Sequence, residues 1–87
     1  GSIRLGKKEY EIMRIFLSSR EMVISKETLL LKVWGNEGEA VENNVETHIS
    51  FLRRKLEFLE ADIEIQTLRR LGYRLAEKTE EMEAVGR

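Results

Sequence analysis

Asn43-Asn44-Val45-Glu46-Thr47-His48-Ile49-Ser50-Phe51-Leu52-Arg53-Arg54-Lys55-Leu56-Glu57-Phe58-Leu59 is the stretch on which the fold turns. Its Val45, Ile49, Leu52, Leu56 and Leu59 recur at steps of 4, 3, 4 and 3. At 100° per residue they fall within about 40° of one line, so the stretch reads as a helix with one core stripe. Asn43 or Asn44 is the expected cap, and the helix reaches roughly Leu59. The opposite arc carries Glu46, Thr47, Ser50, Phe51, Arg53, Arg54, Glu57 and Phe58. That arc is polar yet holds two phenylalanines.

Downstream the period changes to two. Ile63 and Ile65 alternate with Glu64 and Gln66, and Tyr73-Arg74-Leu75 returns after Leu68-Arg69-Arg70-Leu71-Gly72. This predicts a β-hairpin with a basic tip. Upstream lie two shorter helices. Gly6 reads as the N-cap of the first, which runs to Ser18 or Ser19. Glu9 is placed to reach back to the cap's N–H, with Leu5 and Tyr10 as a hydrophobic staple. Ile12, Met13, Ile15, Phe16 and Leu17 form a stripe too wide for packing on one side, so this helix is expected between two layers. Without a second layer over Ile12, Ile15 and Phe16, an exposed apolar patch and dimerisation are expected.

Val23-Ile24 reads as a short extended piece, and Ser25 as the cap of a second helix through Trp34. Ile24 and Leu29 are its staple pair, while Leu29, Leu30, Val33 and Trp34 are its buried side. Gly35 to Glu39 is a polar loop. The stretch 77–87 holds four acids, two bases and no apolar face, which predicts a frayed or disordered tail. Gly1-Ser2 reads as the remnant of a cleaved tag, leaving one domain over 3–76.

Composition bounds the function. With 87 residues the chain supports one small core, burying roughly 60–65% of its unfolded surface. No cysteine and one histidine exclude a disulfide framework, a cysteine nucleophile and an ordinary zinc site within one chain. No glycine-rich phosphate loop or Ser/His/Asp arrangement appears, so no catalytic residue, cofactor or metal is expected. No stretch has the length and apolarity of a membrane span, and a cytoplasmic location is expected. The net charge of −1 argues against a nucleic-acid partner when averaged over the chain. Locally it conceals a polarised distribution, because 47–56 and 66–76 each carry three basic residues and no acid.

Three helices and a terminal hairpin, the third helix long and polar outside, form an α+β winged helix-turn-helix pattern. One helix of such a pattern fits a major groove, and the hairpin tip reaches a minor groove or the phosphates. Leu29 to Gly35, Val45 to Leu56 and Ile65 to Leu75 together resemble the OmpR/PhoB-type effector domain of bacterial two-component response regulators. The resemblance covers about Leu5 to Leu75, in three blocks in the right order. It implies a sequence-specific transcription regulator that follows a phosphorylated receiver domain in a phosphorelay and binds direct-repeat DNA sites as a dimer.

Carried over by position, the resemblance puts Asn44, Glu46 and Thr47 at base-contacting positions. It makes His48 and Arg53 phosphate contacts, with Trp34, Thr67 and Tyr73 as further backbone contacts. Arg69 becomes the wing arginine of the minor groove, and the loop 35–42 a segment that touches RNA polymerase. Position alone also allows His48 as a half-buried structural histidine, and Thr67 and Tyr73 as strand packing. A core Trp34 whose indole N–H reaches a phosphate suits both readings. On the charge run, Arg53 and Arg54 are read as DNA contacts, and Lys55, nearest the core edge, is left open.

The chain departs from the family pattern in three places. Ser50 and Phe51 stand where arginine is frequent, which shifts base readout toward apolar contact such as Phe51 on a thymine methyl. Arg70 and Leu71 replace a glycine and a small residue, predicting an altered wing tip with added charge. Of the family's four-stranded N-terminal sheet, only Ile3-Arg4-Leu5 has a counterpart. The competing reading is a winged-helix protein–protein module in which Phe51 and Phe58 dock a partner and DNA is never touched. Tolerance of added salt separates the two, since an apolar interface is little screened.

Overall fold

The computed structural model describes residues 3–35 and 40–78. Helix α1 spans Lys7–Ser18, α2 spans Lys26–Leu29 and runs on as a π-helical turn over Leu30–Trp34, and α3 spans Glu42–Phe58. Strands β1, Ile63–Leu68, and β2, Gly72–Glu77, form one antiparallel hairpin. Ile12, Phe16, Leu29, Val45, Ile49, Leu52 and Leu75 are all but inaccessible to solvent and form the centre of the core.

Glycine has no capping side chain, so α1 depends on its first turn for closure. The Gly6 N–H donates to Glu9 Oε1 at 2.7 Å. At α2 the Ser25 hydroxyl accepts from the Thr28 N–H at 3.0 Å, and Ile24 and Leu29 are both buried beside it. The end of α2 is wider than the α-helix the sequence predicts. The Gly35 N–H donates to the Leu30 carbonyl five residues back, and Gly35 leaves the helix with φ of 57°. Val33 and Trp34 both enter the core on this turn, while Leu31 faces solvent.

Helix α3 starts earlier than either asparagine. Val41 is the extended N-cap, and Asn44 acts from the third helical position, its Oδ1 accepting the Val41 N–H at 2.7 Å. That is the reciprocal half of a capping box, made by a residue inside the helix. Val45, Ile49 and Leu52 are buried as the stripe predicts, and Leu56 packs at its edge. Leu59 is exposed instead, because the helix has already ended at Phe58.

The hairpin pairs Ile65 with Leu75, Thr67 with Tyr73 and Leu68 with Gly72. Ile65, Tyr73 and Leu75 point into the core. On its other edge β2 meets the chain before α2. Ile24 and Tyr73 exchange both backbone hydrogen bonds, at 2.8 and 2.9 Å, and the Glu21 N–H donates to the Leu75 carbonyl. Glu77 belongs to this strand and pairs with Ile63, so the expected tail does not begin there. The Lys78 N–H also donates to the Asp62 carbonyl, and the rest of that tail lies outside the described residues.

The wide stripe of α1 is divided differently from the expectation. Ile12 and Phe16 are fully covered by the domain's own core, and Ile15 is half-buried. Tyr10 and Leu17 face solvent and, with Leu5, Met13, Arg14 and Ser18, line an open groove of about 380 Å³.

Candidate nucleic-acid interface

Helix α3 and the wing share one side of the molecule, separated by a cleft of about 620 Å³ that Lys26, Glu46, Thr67, Arg69 and Tyr73 help to line. Each charged side chain predicted to contact DNA belongs to one of two groups: those already engaged within the protein, and those left free.

Arg53 is engaged. Its Nε and Nη2 both donate to the Ile65 carbonyl, at 3.0 and 2.8 Å, and Nη2 also donates to Thr67 Oγ1 at 2.6 Å. Its guanidinium lies 5.8 Å from the Tyr73 ring centroid. The planar fork straps α3 to β1. A lysine has one nitrogen and cannot reproduce the pair. Arg53→Lys is therefore expected to lower stability by about 1 to 2 kcal/mol, read as a shifted urea midpoint. An unchanged midpoint would show that the strap adds nothing.

Glu46 is engaged too. Its Oε2 accepts from Lys26 Nζ at 2.5 Å, a bond that also holds the Lys26 amine above its ordinary pKa. Lys55 turns inward, bonding Glu9 Oε1 at 2.5 Å and the Arg4 carbonyl at 3.0 Å, so it is a structural residue. Glu9 is 5% exposed. Burial alone raises its pKa, but the hydrogen bonds from Lys55 and the Gly6 amide, with the charges of Lys55 and His48, outweigh that and lower it. Arg74 donates through Nε and Nη2 to Gln66 Oε1.

Arg54, Arg69 and Arg70 make no side-chain hydrogen bond or ion pair among the described residues, and all three are exposed. Of the six basic residues in the two acid-free stretches, these three are the free ones. Arg70 holds φ of 67°, a conformation that glycine favours. The tip thus keeps a glycine-type backbone while presenting a guanidinium. The Leu71 N–H closes the turn onto the Leu68 carbonyl at 3.0 Å.

Three aromatic rings run from the core to the surface along α3. The His48 ring stands edge-on to Trp34, at 5.1 Å between centroids, and to Phe51, at 5.8 Å. His48 Nδ1 lies 2.8 Å from the Asn44 carbonyl, which can only accept, so Nδ1 carries the proton and Nε2 faces away. Among the described residues Trp34, 7% exposed, makes no side-chain hydrogen bond, yet no buried side-chain nitrogen lacks a partner. Its indole N–H therefore still reaches solvent. Lys8 Nζ lies 5.5 Å from the Trp34 centroid. Thr47 and Phe51 are exposed, Ser50 is half-buried, and Tyr73 is buried beneath the wing. Thr67 is exposed but its hydroxyl is held by Arg53.

One residue escaped the sequence reading. Asn44 is turned back to the helix start, whereas its neighbour Asn43 is exposed on the first turn with no partner among the described residues. The spacing of the caps held the clue, since an asparagine at the third helical position is the one that reaches back. Half of the expected polymerase-contacting loop 35–42, residues 36–39, lies outside the described residues.

Residues 1–75 match the family described as "Transcriptional regulatory protein, C terminal". The chain belongs to this family. Among the relatives of this effector domain, the transcriptional regulatory protein DltR of Streptococcus agalactiae is 45% identical over 78 residues, 90% of this chain and 35% of DltR. The heme response regulator HssR of Staphylococcus saprophyticus is 35% identical over 85% of this chain and 33% of HssR. The chain thus spans about a third of the length of these curated relatives. Among solved structures, the DNA-binding domain of Bacillus subtilis CssR superposes with a TM-score of 0.73 at 30% identity, over 85% of this chain and 80% of that one. The response regulator AdeR DNA-binding domain, in complex with an intercistronic region, does so at 0.76 and 28%, over 87% and 78%. These neighbours share the winged-helix fold. The family is one of transcriptional regulators, not an enzyme class. No helix of the described residues is long and apolar enough to cross a membrane.

Proposed function

We propose that this effector domain binds double-stranded DNA with α3 in the major groove and the wing at the minor groove or the phosphates. The observation that carries this reading is the division of charge: Arg54, Arg69 and Arg70 are exposed and without a partner among the described residues, while Glu46 is paired with Lys26. Free guanidiniums on both arms of one face suit a duplex backbone. The Trp34 indole N–H is a further donor beside α3. An upstream receiver domain, phosphorylation, pairing of copies on direct repeats and contact with RNA polymerase through the 35–42 loop belong to the same proposal. The net charge of −1 makes pairing the natural route to useful affinity, because long-range attraction to DNA by one copy is weak.

Arg69→Ala is expected to weaken binding and to lower the salt slope in a fluorescence-anisotropy titration by about one. An unchanged slope would remove Arg69 from the interface. The protein-docking alternative draws on Phe58, 65% exposed near the end of α3. A complex of that kind tolerates added salt, whereas the DNA complex does not.

A further inference from the structure

We infer that the centre of the DNA half-site read by α3 consists of A·T pairs, recognised through thymine methyls and one adenine. The inference rests on the DNA-binding reading above. It names what that interface selects.

Asn43, Thr47 and Phe51 recur every four positions and form one ridge along the exposed side of the helix. Each step advances about 6 Å along the axis, close to two base-pair steps of a duplex. The Asn43 amide, exposed and without a partner among the described residues, has the donor and acceptor that adenine N7 and N6 require. Thr47 offers a methyl group, and Phe51, a residue 41% exposed, offers a ring. Both suit the C5 methyl of thymine.

The groups that select guanine or cytosine are held elsewhere. Arg53 gives three donor contacts to the Ile65 carbonyl and Thr67, on the side of α3 facing the wing. The Glu46 carboxylate, the acceptor suited to cytosine N4, is drawn toward α2 by Lys26. Arg54 is free, but it lies three residues beyond Phe51, toward the C-terminal end of the helix. A recognition helix meets base edges mainly through its N-terminal part, which leaves Arg54 at the backbone. Phe51 is fixed by more than its own rotamer, because its ring meets the His48 edge and His48 is held by the Asn44 carbonyl. A pre-positioned ring reads a methyl group better than a mobile one.

Duplexes selected from a random pool by the 87-residue chain supply the probe. Thymines of the selected site are then replaced one at a time by deoxyuridine, which deletes only the C5 methyl group. At the positions under Thr47 and Phe51 the affinity is expected to fall about fourfold, the value of one buried methyl. Phe51→Ala is expected to abolish the uridine penalty at its own position and leave the other intact. Phe51 is exposed enough that its thermal midpoint serves as the folding control. A guanine-rich core, uridine tolerance within twofold at every position, or a Phe51→Ala protein with the full penalty overturns the inference while DNA binding stands. Enrichment of no duplex at all overturns the DNA reading itself.

Discussion

Gly72→Ala is expected to cost about 3 kcal/mol or more, enough to leave much of this small domain unfolded at 25 °C. A Cβ at Gly72 would lie 2.2 Å from the Ile24 carbonyl oxygen and 2.7 Å from both Ile24 C and Ser25 Cα. All three atoms are backbone, so no side-chain rotation relieves the clash. The φ of 138° adds strain for any residue with a Cβ. Relief requires the chain before α2 to move off β2, breaking the paired hydrogen bonds between Ile24 and Tyr73. Gly6→Ala is the matched control. Its Cβ meets nothing nearer than Glu9 Oε1 at 3.6 Å, and glycine and alanine caps differ by less than about 1 kcal/mol. Urea titrations of both variants test the point. A Gly72→Ala midpoint within error of the Gly6→Ala value would mean the seam is not needed for folding.

Glu9→Gln is expected to be the second most damaging change. The Glu9 carboxylate accepts the Gly6 N–H and pairs with Lys55, joining the start of α1 to α3. The amide can keep the first bond but leaves the Lys55 ammonium without its counter-ion. Because Lys55 is partly exposed, the cost is set at about 2 kcal/mol, below that of a fully buried pair. The pH dependence gives an independent reading. Glu9 is held below its ordinary value of 4.5, so its contribution to stability is present above pH 4.5 and is lost as pH falls through the folded-state value. The wild type should therefore lose stability in acid more steeply than Glu9→Gln, and the two curves should converge at low pH. Parallel curves would assign the acid sensitivity to other carboxylates.

Much of this architecture was legible because it is written in period and cap chemistry. The four-residue and three-residue steps of Val45, Ile49 and Leu52 had one helical solution, and Gly6 with Glu9 had one use. The helix ends were less legible, since Val41 is no capping type and only Asn44's reach reveals it. The candidate interface was legible in outline only. Sequence shows which residues are charged, but pairing depends on geometry between distant elements. Arg53 and Thr67 are 14 residues apart, and Lys55 and Glu9 are 46 apart. Nothing local to Arg53 or Arg54 says that one is strapped to a strand while the other is free.

That strap makes the domain a gauge. Arg53 bolts the hairpin to the helix at two carbonyl bonds and a hydroxyl, so the two arms keep one separation. On the proposed DNA-binding reading, a duplex that engages both has to bring its adjacent grooves to that separation. Sequences that already have it are then expected to bind without deformation, and stiff sequences that lack it to be disfavoured at base pairs no side chain touches.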